Sequence, residues 1–162
     1  MISAGLTGVS VRARGQRGEA LIEFALSFFL IFAIFSGIFH FAYTFYVYNS
    51  LVSAVREGAR YASIKPYDSI TTTPSSDFQT AVQNLVVYGD AAPPNGAKPI
   101  VPGLTPAKVA LTVVGGGTGT LTTPSLMTVS INGFQIDAVF GKLDLNGKPT
   151  ASFPYTGILT PP

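Results

Sequence analysis

Between Phe24 and Tyr48 the chain has no Asp, Glu, Lys or Arg, and this apolar run limits what it can fold into more than any other feature. About 25 residues rise about 37 Å as an α-helix, enough to cross a hydrocarbon core of about 30 Å with some tilt. A secretory signal has a shorter apolar core, about 7 to 15 residues, and then a small-residue cleavage site. This run ends instead in Tyr43, Phe45, Tyr46 and Tyr48, so it is expected to stay in the membrane with those rings as an outer aromatic belt.

Charge orients the span. Arg12, Arg14 and Arg17 precede it, which places the N-terminus in the cytoplasm and the rest of the chain outside. Beyond Ser63 five Lys balance five Asp, so the basic balance belongs to the leader and gives no nucleic-acid signal. There is no cysteine, which excludes disulfides, thiolate metal sites and a Cys nucleophile. With 162 residues there is room for one membrane segment and one small domain.

Helical periodicity continues past the span. Tyr48, Leu51, Val52, Val55, Ala59 and Ala62 form an apolar stripe while Asn49, Ser53, Arg56 and Arg60 face elsewhere. One helix is therefore expected from about Ala20 to Ser63, stopped by Lys65-Pro66, with an amphipathic stem that needs a partner. Within the span, Ala33 and Gly37 make a small-xxx-small pair, and Ser36, His40 and Thr44 line one face, so helix–helix packing is expected there. His40 reads as a neutral, hydrogen-bonded residue in preference to a proton relay. Phe28, Phe32, Phe35 and Phe39 read as packing or lipid contact. In the stem, Glu57 and Arg60 are within i, i+3 reach, and Gly58 in mid-helix predicts a close approach by the domain or a neighbour.

The remainder reads as a small head. Ser76 with Gln79 predicts a capping box opening a helix whose apolar residues are Phe78, Val82, Leu85 and Val86, with a stop at Gly89. Proline-rich loop runs from Ala91 to Pro106, and Val109, Leu111 and Val113 alternate as a strand. Asn132-Gly133 predicts a two-residue hairpin pairing Ile131 with Phe134, Val129 with Ile136 and Met127 with Ala138. Asn146-Gly147 predicts a second turn, between Lys142 to Leu145 and Lys148 to Phe153, with Pro149 confining that ribbon to an edge. The expected fold class is α+β: a long N-terminal transmembrane and stem helix, one further helix, and an antiparallel sheet.

The head offers little for catalysis. It has no histidine, so no Ser-His-Asp triad can form there, and its aspartates (Asp68, Asp77, Asp90, Asp137, Asp144) are dispersed without calcium-loop spacing. The Gly115-Gly116-Gly117-Thr118-Gly119 segment lacks the spacing of a dinucleotide or phosphate loop. No enzyme activity, cofactor, metal, nucleic acid or small-molecule substrate is expected.

The string Arg17-Gly18-Glu19-Ala20-Leu21-Ile22-Glu23-Phe24 resembles a prepilin processing site, cut after glycine with a glutamate fifth in the mature chain. Tyr46-Val47-Tyr48 and Ala54-Val55-Arg56-Glu57-Gly58-Ala59-Arg60-Tyr61-Ala62 resemble the TadE-like (TadE/TadG) family, minor pilins of the tight-adherence (Tad) branch of type IV pili. Two positions depart from the pattern: Ser27-Phe28-Phe29 stands where many members carry a proline, and Phe24 where cleaved Tad prepilins often have tyrosine.

The resemblance implies a pilin-like minor pilin or pseudopilin with a leader at 1–18, a transmembrane and stem helix at 19–63, and an extracytoplasmic head at 64–162. It implies a bacterial inner-membrane protein, incorporated into or priming an adherence pilus, whose partners are prepilin peptidase, other major and minor pilins, and the assembly platform. Cleavage would occur between Gly18 and Glu19. Glu23 would meet the new N-terminal amine of a neighbouring subunit as a register carboxylate; the alternative for Glu23 is a flanking acid snorkelling to the interface. Arg56, Glu57 and Arg60 are stem contacts between subunits or a solvated helix face. The rival for the whole chain is an uncleaved, single-pass, membrane-anchored accessory or binding protein.

Overall fold

The computed structural model describes residues 15–115, 123–138 and 141–160. The leader as far as residue 14 and the Gly116–Gly119 part of the glycine-rich segment lie outside the described residues. The architecture is α+β: helix α1 (Gly15–Ile64), helix α2 (Ser76–Tyr88), a 3-10 turn (Pro106–Lys108), and strands β1 (Val109–Gly115), β2 (Pro124–Ile131), β3 (Phe134–Ala138), β4 (Gly141–Leu145) and β5 (Thr150–Pro154). The chain divides into two compact units, Met1–Phe39 and His40–Pro162.

In the first unit α1 is unbroken through Ser27-Phe28-Phe29, where nothing interrupts the backbone hydrogen-bond ladder. It starts earlier than the periodicity predicts, so Gly18 lies inside the first turn.

The second unit has one core. The stem supplies Val47, Leu51, Ala54, Val55, Ala59 and Ala62, with Val47 and Ala54 buried where the expected stripe had Tyr48 and Val52, which are only half-buried, and these meet Phe78, Val82, Val86 and Val87 of α2 and Met127, Val129 and Ile131 of β2 in a single buried cluster. The partner that the amphipathic stem requires is thus its own head. Gly58 faces Val86, and a Cβ at that position would run into the Val86 side chain, so the two helices approach to a distance only glycine allows.

Helix α2 begins one residue earlier than the capping-box reading. Its N-cap is Ser75, whose hydroxyl accepts from the Phe78 amide at 3.1 Å and donates to Asp68, which holds it in place. Gly89 ends the helix in the left-handed region, its amide donating to Leu85 as predicted.

The sheet differs from the expected hairpins. Strands β1, β2 and β5 form one antiparallel sheet in the order β1-β2-β5, and β3 pairs with β4 in a separate ribbon. Asn132-Gly133 therefore joins two strands that do not pair, and Ile131, Val129 and Met127 lie opposite Val109, Leu111 and Val113. The cause is visible at the two Asn-Gly pairs. The Gly133 amide donates to Asn146 Oδ1 at 3.0 Å, and the Gly147 amide donates to Asn132 Oδ1 at 2.7 Å. The Asn132 amide itself goes to Lys108 O at 2.8 Å. Each asparagine thus satisfies the other's bend, so the β2–β5 ladder gives way to the β3–β4 ladder across a bend that both strands make at the same level. Asn146-Gly147 likewise joins strands that do not pair with each other, β4 and β5, so the ribbon expected across it does not form; Pro149 leads instead into β5, which lies at the edge of the three-stranded sheet.

Residues 155–160 close the outer end of α1. Thr156 donates to Ser63 O at 2.9 Å, satisfying a carbonyl that the helix end leaves without a partner. The Tyr155 hydroxyl accepts from the Tyr67 amide at 2.9 Å and lies 2.9 Å from Ile158 O and 3.2 Å from Lys65 O, one of which takes its proton. Gly157 is required because a Cβ there would lie 2.6 Å from that hydroxyl and 2.9 Å from Ile64 O. Burial raises the phenols of both Tyr67 and Tyr155 above their ordinary value. A raised folded-state pKa contributes stability that is present below the unfolded value, about 10, and is lost as pH rises through the folded value. Melting of the full chain in detergent should therefore be flat from neutral pH to about pH 10 and fall above it. Tyr155→Phe should cost about 1 kcal/mol at neutral pH and blunt the alkaline fall.

Candidate functional site

Gly18, Glu19 and Glu23 lie on the first turns of α1. All three are exposed, and a Cβ at Gly18 would meet nothing within 4 Å, so the Gly18–Glu19 bond is sterically open. Amides of a helix's first turn have no acceptor within the helix, so this stretch unwinds at little cost. Glu23 stands between Ile22 and Phe24, both exposed, at the edge of the apolar run.

From Leu21 to Phe39 nearly every large apolar side chain is exposed on all sides of the helix, and the stretch reaches a mean hydropathy of 2.3 with none of it buried. A helix apolar all round is made for a surrounding that is itself apolar. It is long and apolar enough to cross a membrane. Phe24, Phe28 and Phe32 stack along one side with ring centroids 6.2 and 6.3 Å apart, so the observed ladder starts one turn earlier than the predicted stripe. Ala33, Ser36 and Gly37 leave a shallow place on the same segment, where a Cβ at Gly37 would also meet nothing within 4 Å. In the second unit His40 is exposed, but the Thr44 hydroxyl donates to the His40 carbonyl at 3.0 Å and so spends its proton on its own helix.

The stem has two faces. Arg56, Glu57 and Arg60 are exposed, whereas Gly58 is buried against Val86, so these four residues, neighbours in sequence, do not form one site. Beside the charged face an open hollow of about 460 Å³ runs along Tyr46, Asn49, Ser53 and Glu57 to Ile100. A second groove of about 210 Å³ is lined by Tyr43, Val47, Val101, Pro102 and the four consecutive residues Phe134 to Asp137. Nothing in the sequence brings those three segments together, because their proximity depends on the bend at Asn132-Gly133. Among the described residues no three His, Cys, Asp or Glu side chains gather as a metal would need, and Asp68 acts as the outer support of the α2 cap.

Residues 18–60 match the family model of the TadE-like protein. The match starts at Gly18 and ends at Arg60, covering the span and most of the stem. No curated protein and no solved structure matches the chain.

Proposed function

We propose that this chain is a minor pilin-like subunit of a Tad-type pilus, held in the inner membrane by α1, cut after Gly18 and then drawn into a filament. The observation that carries the proposal is the TadE-like match, which begins at the glycine of the cut site and runs through Glu23 and the apolar segment. The uncovered apolar helix and the sterically open Gly18 support it. The N-terminus faces the cytoplasm, the head is outside, and prepilin peptidase, other pilins and the assembly platform are the partners. The role is structural and not enzymatic.

Glu23 sets the register of assembly. An unpaired carboxylate at the membrane edge is costly, and the amine created at Glu19 of a neighbour is the charge that offsets it. Glu23→Gln should lower the amount of this chain in sheared filaments about tenfold while its level in the membrane stays unchanged. Incorporation of the glutamine variant at the wild-type level would remove Glu23 from the assembly mechanism.

A further inference from the structure

The head carries three Asn-Gly dipeptides: Asn95-Gly96, Asn132-Gly133 and Asn146-Gly147. Such a pair can react with itself, because glycine has no side chain to keep its backbone nitrogen away from the preceding carboxamide. The nitrogen bonds to the asparagine Cγ, the Cγ–Nδ2 bond breaks, and ammonia leaves with the amide proton. Water then opens the resulting succinimide at either carbonyl, giving aspartate or isoaspartate. One water is consumed and one ammonia released, and no other reactant is needed.

Exposure does not separate the three pairs, since all six residues are exposed. Nor does crowding: a Cβ at Gly96, Gly133 or Gly147 would meet nothing within 4 Å. Hydrogen bonding does separate them. The Gly133 amide, which is the nucleophile for Asn132, donates to Asn146 Oδ1 at 3.0 Å, while Asn132 Oδ1 accepts from the Gly147 amide at 2.7 Å. The same two bonds engage the Asn146 carboxamide and its own nucleophile, the Gly147 amide. The backbone beside this clasp is braced as well, with the Asn132 amide on Lys108 O at 2.8 Å and the Ile131 amide on Pro149 O at 3.2 Å. Neither asparagine reaches its own glycine nitrogen until the clasp opens.

Asn95-Gly96 has no clasp. It occupies the middle of a turn closed by one bond, from the Ala97 amide to Pro94 O at 3.1 Å, and Gly96 stands in the left-handed region at φ 84°. Among the described residues neither the Asn95 carboxamide nor the Gly96 amide makes a hydrogen bond within the chain.

We propose that Asn95 is the site at which this chain modifies itself, by deamidation to aspartate and isoaspartate, and that the Asn132–Asn146 clasp keeps the other two pairs intact. The product puts one negative charge, and in the isoaspartyl form an extra backbone carbon, on an exposed turn three residues before Lys98. None of this depends on cleavage at Gly18 or on a pilus.

The full chain in detergent is held in mildly alkaline heavy-oxygen water, so that only residues modified during the incubation carry the label. The three sites are followed by peptide mass spectrometry with a fragmentation that tells isoaspartate from aspartate. Asn95 should react at least about tenfold faster than Asn132 and Asn146, where two hydrogen bonds must open first. In denaturant the three rates should draw level. Asn146→Ala removes the acceptor of the Gly133 amide and should speed Asn132 about fivefold while Asn95 keeps its rate. Equal rates at the three sites in the folded chain, or an intact Asn95 where the denatured chain reacts, would overturn the proposal. An order of rates that denaturant leaves unchanged would also overturn it, since the sequence and not the clasp would then set that order.

Discussion

Leucine in place of Gly58 is expected to destabilise the head by about 3 kcal/mol or more. A Cβ alone at this position would run into Val86, which is fully buried, branched at Cβ and held in one rotamer, and the Val82 carbonyl stands 3.9 Å away behind it. A leucine therefore forces α2 off α1 and opens the core that joins the stem to the sheet. Alanine is the milder case. It gains about 1 kcal/mol of helix propensity and loses about 1 to 3 kcal/mol to overpacking, a net loss of about 1 kcal/mol. Val86→Ala alone leaves a cavity, but combined with Gly58→Ala the new methyl fills part of it, so the double variant should be more stable than the sum of the two singles by about 1 kcal/mol. Denaturant unfolding of the full chain in detergent measures all four proteins. Strict additivity would show that the two helices do not meet at Gly58.

At the other end of α1, Gly18→Leu should abolish removal of the leader without harming the fold. A side chain at Gly18 has open space around it, and leucine is a better helix former than glycine by about 0.8 kcal/mol, so the variant helix is if anything firmer. Loss of processing then reports on the peptidase's need for a residue without a Cβ and for a stretch that unwinds. The uncut chain should build up in the membrane fraction and fall at least about tenfold in sheared filaments, because Glu23 of a neighbour has no amine to meet at Glu19. Wild-type filament levels for this variant would mean that cleavage plays no part in assembly.

Much of this was legible in the sequence. The apolar run, the stem stripe and the glycine at position 58 each carry a local physical signal: length without charge, periodicity, and a residue that costs stability unless something approaches it closely. The structure has the long helix that the first two signals predict, places Val86 against Gly58, and covers the stem with the head. The Asn-Gly pairs were legible as bends and misleading as hairpins. Their turn chemistry is local, but which strands they join depends on hydrogen bonds from one pair to the other, about 14 residues apart in the sequence. A signal was present all the same: Asn132-Gly133 and Asn146-Gly147 are placed symmetrically about Val139-Phe140, as expected of two bends at one level. The groove beside Tyr43 had no such signal, since it exists only after those strands have bent.

The most direct measurement is the mass of the N-terminus of this chain recovered from cells that make the pilus. The account predicts a mature chain beginning at Glu19, with residues 1–18 absent from the protein found in filaments. Filament-borne or otherwise functional protein that still carries Met1 to Gly18 would contradict it and leave α1 as a permanent anchor.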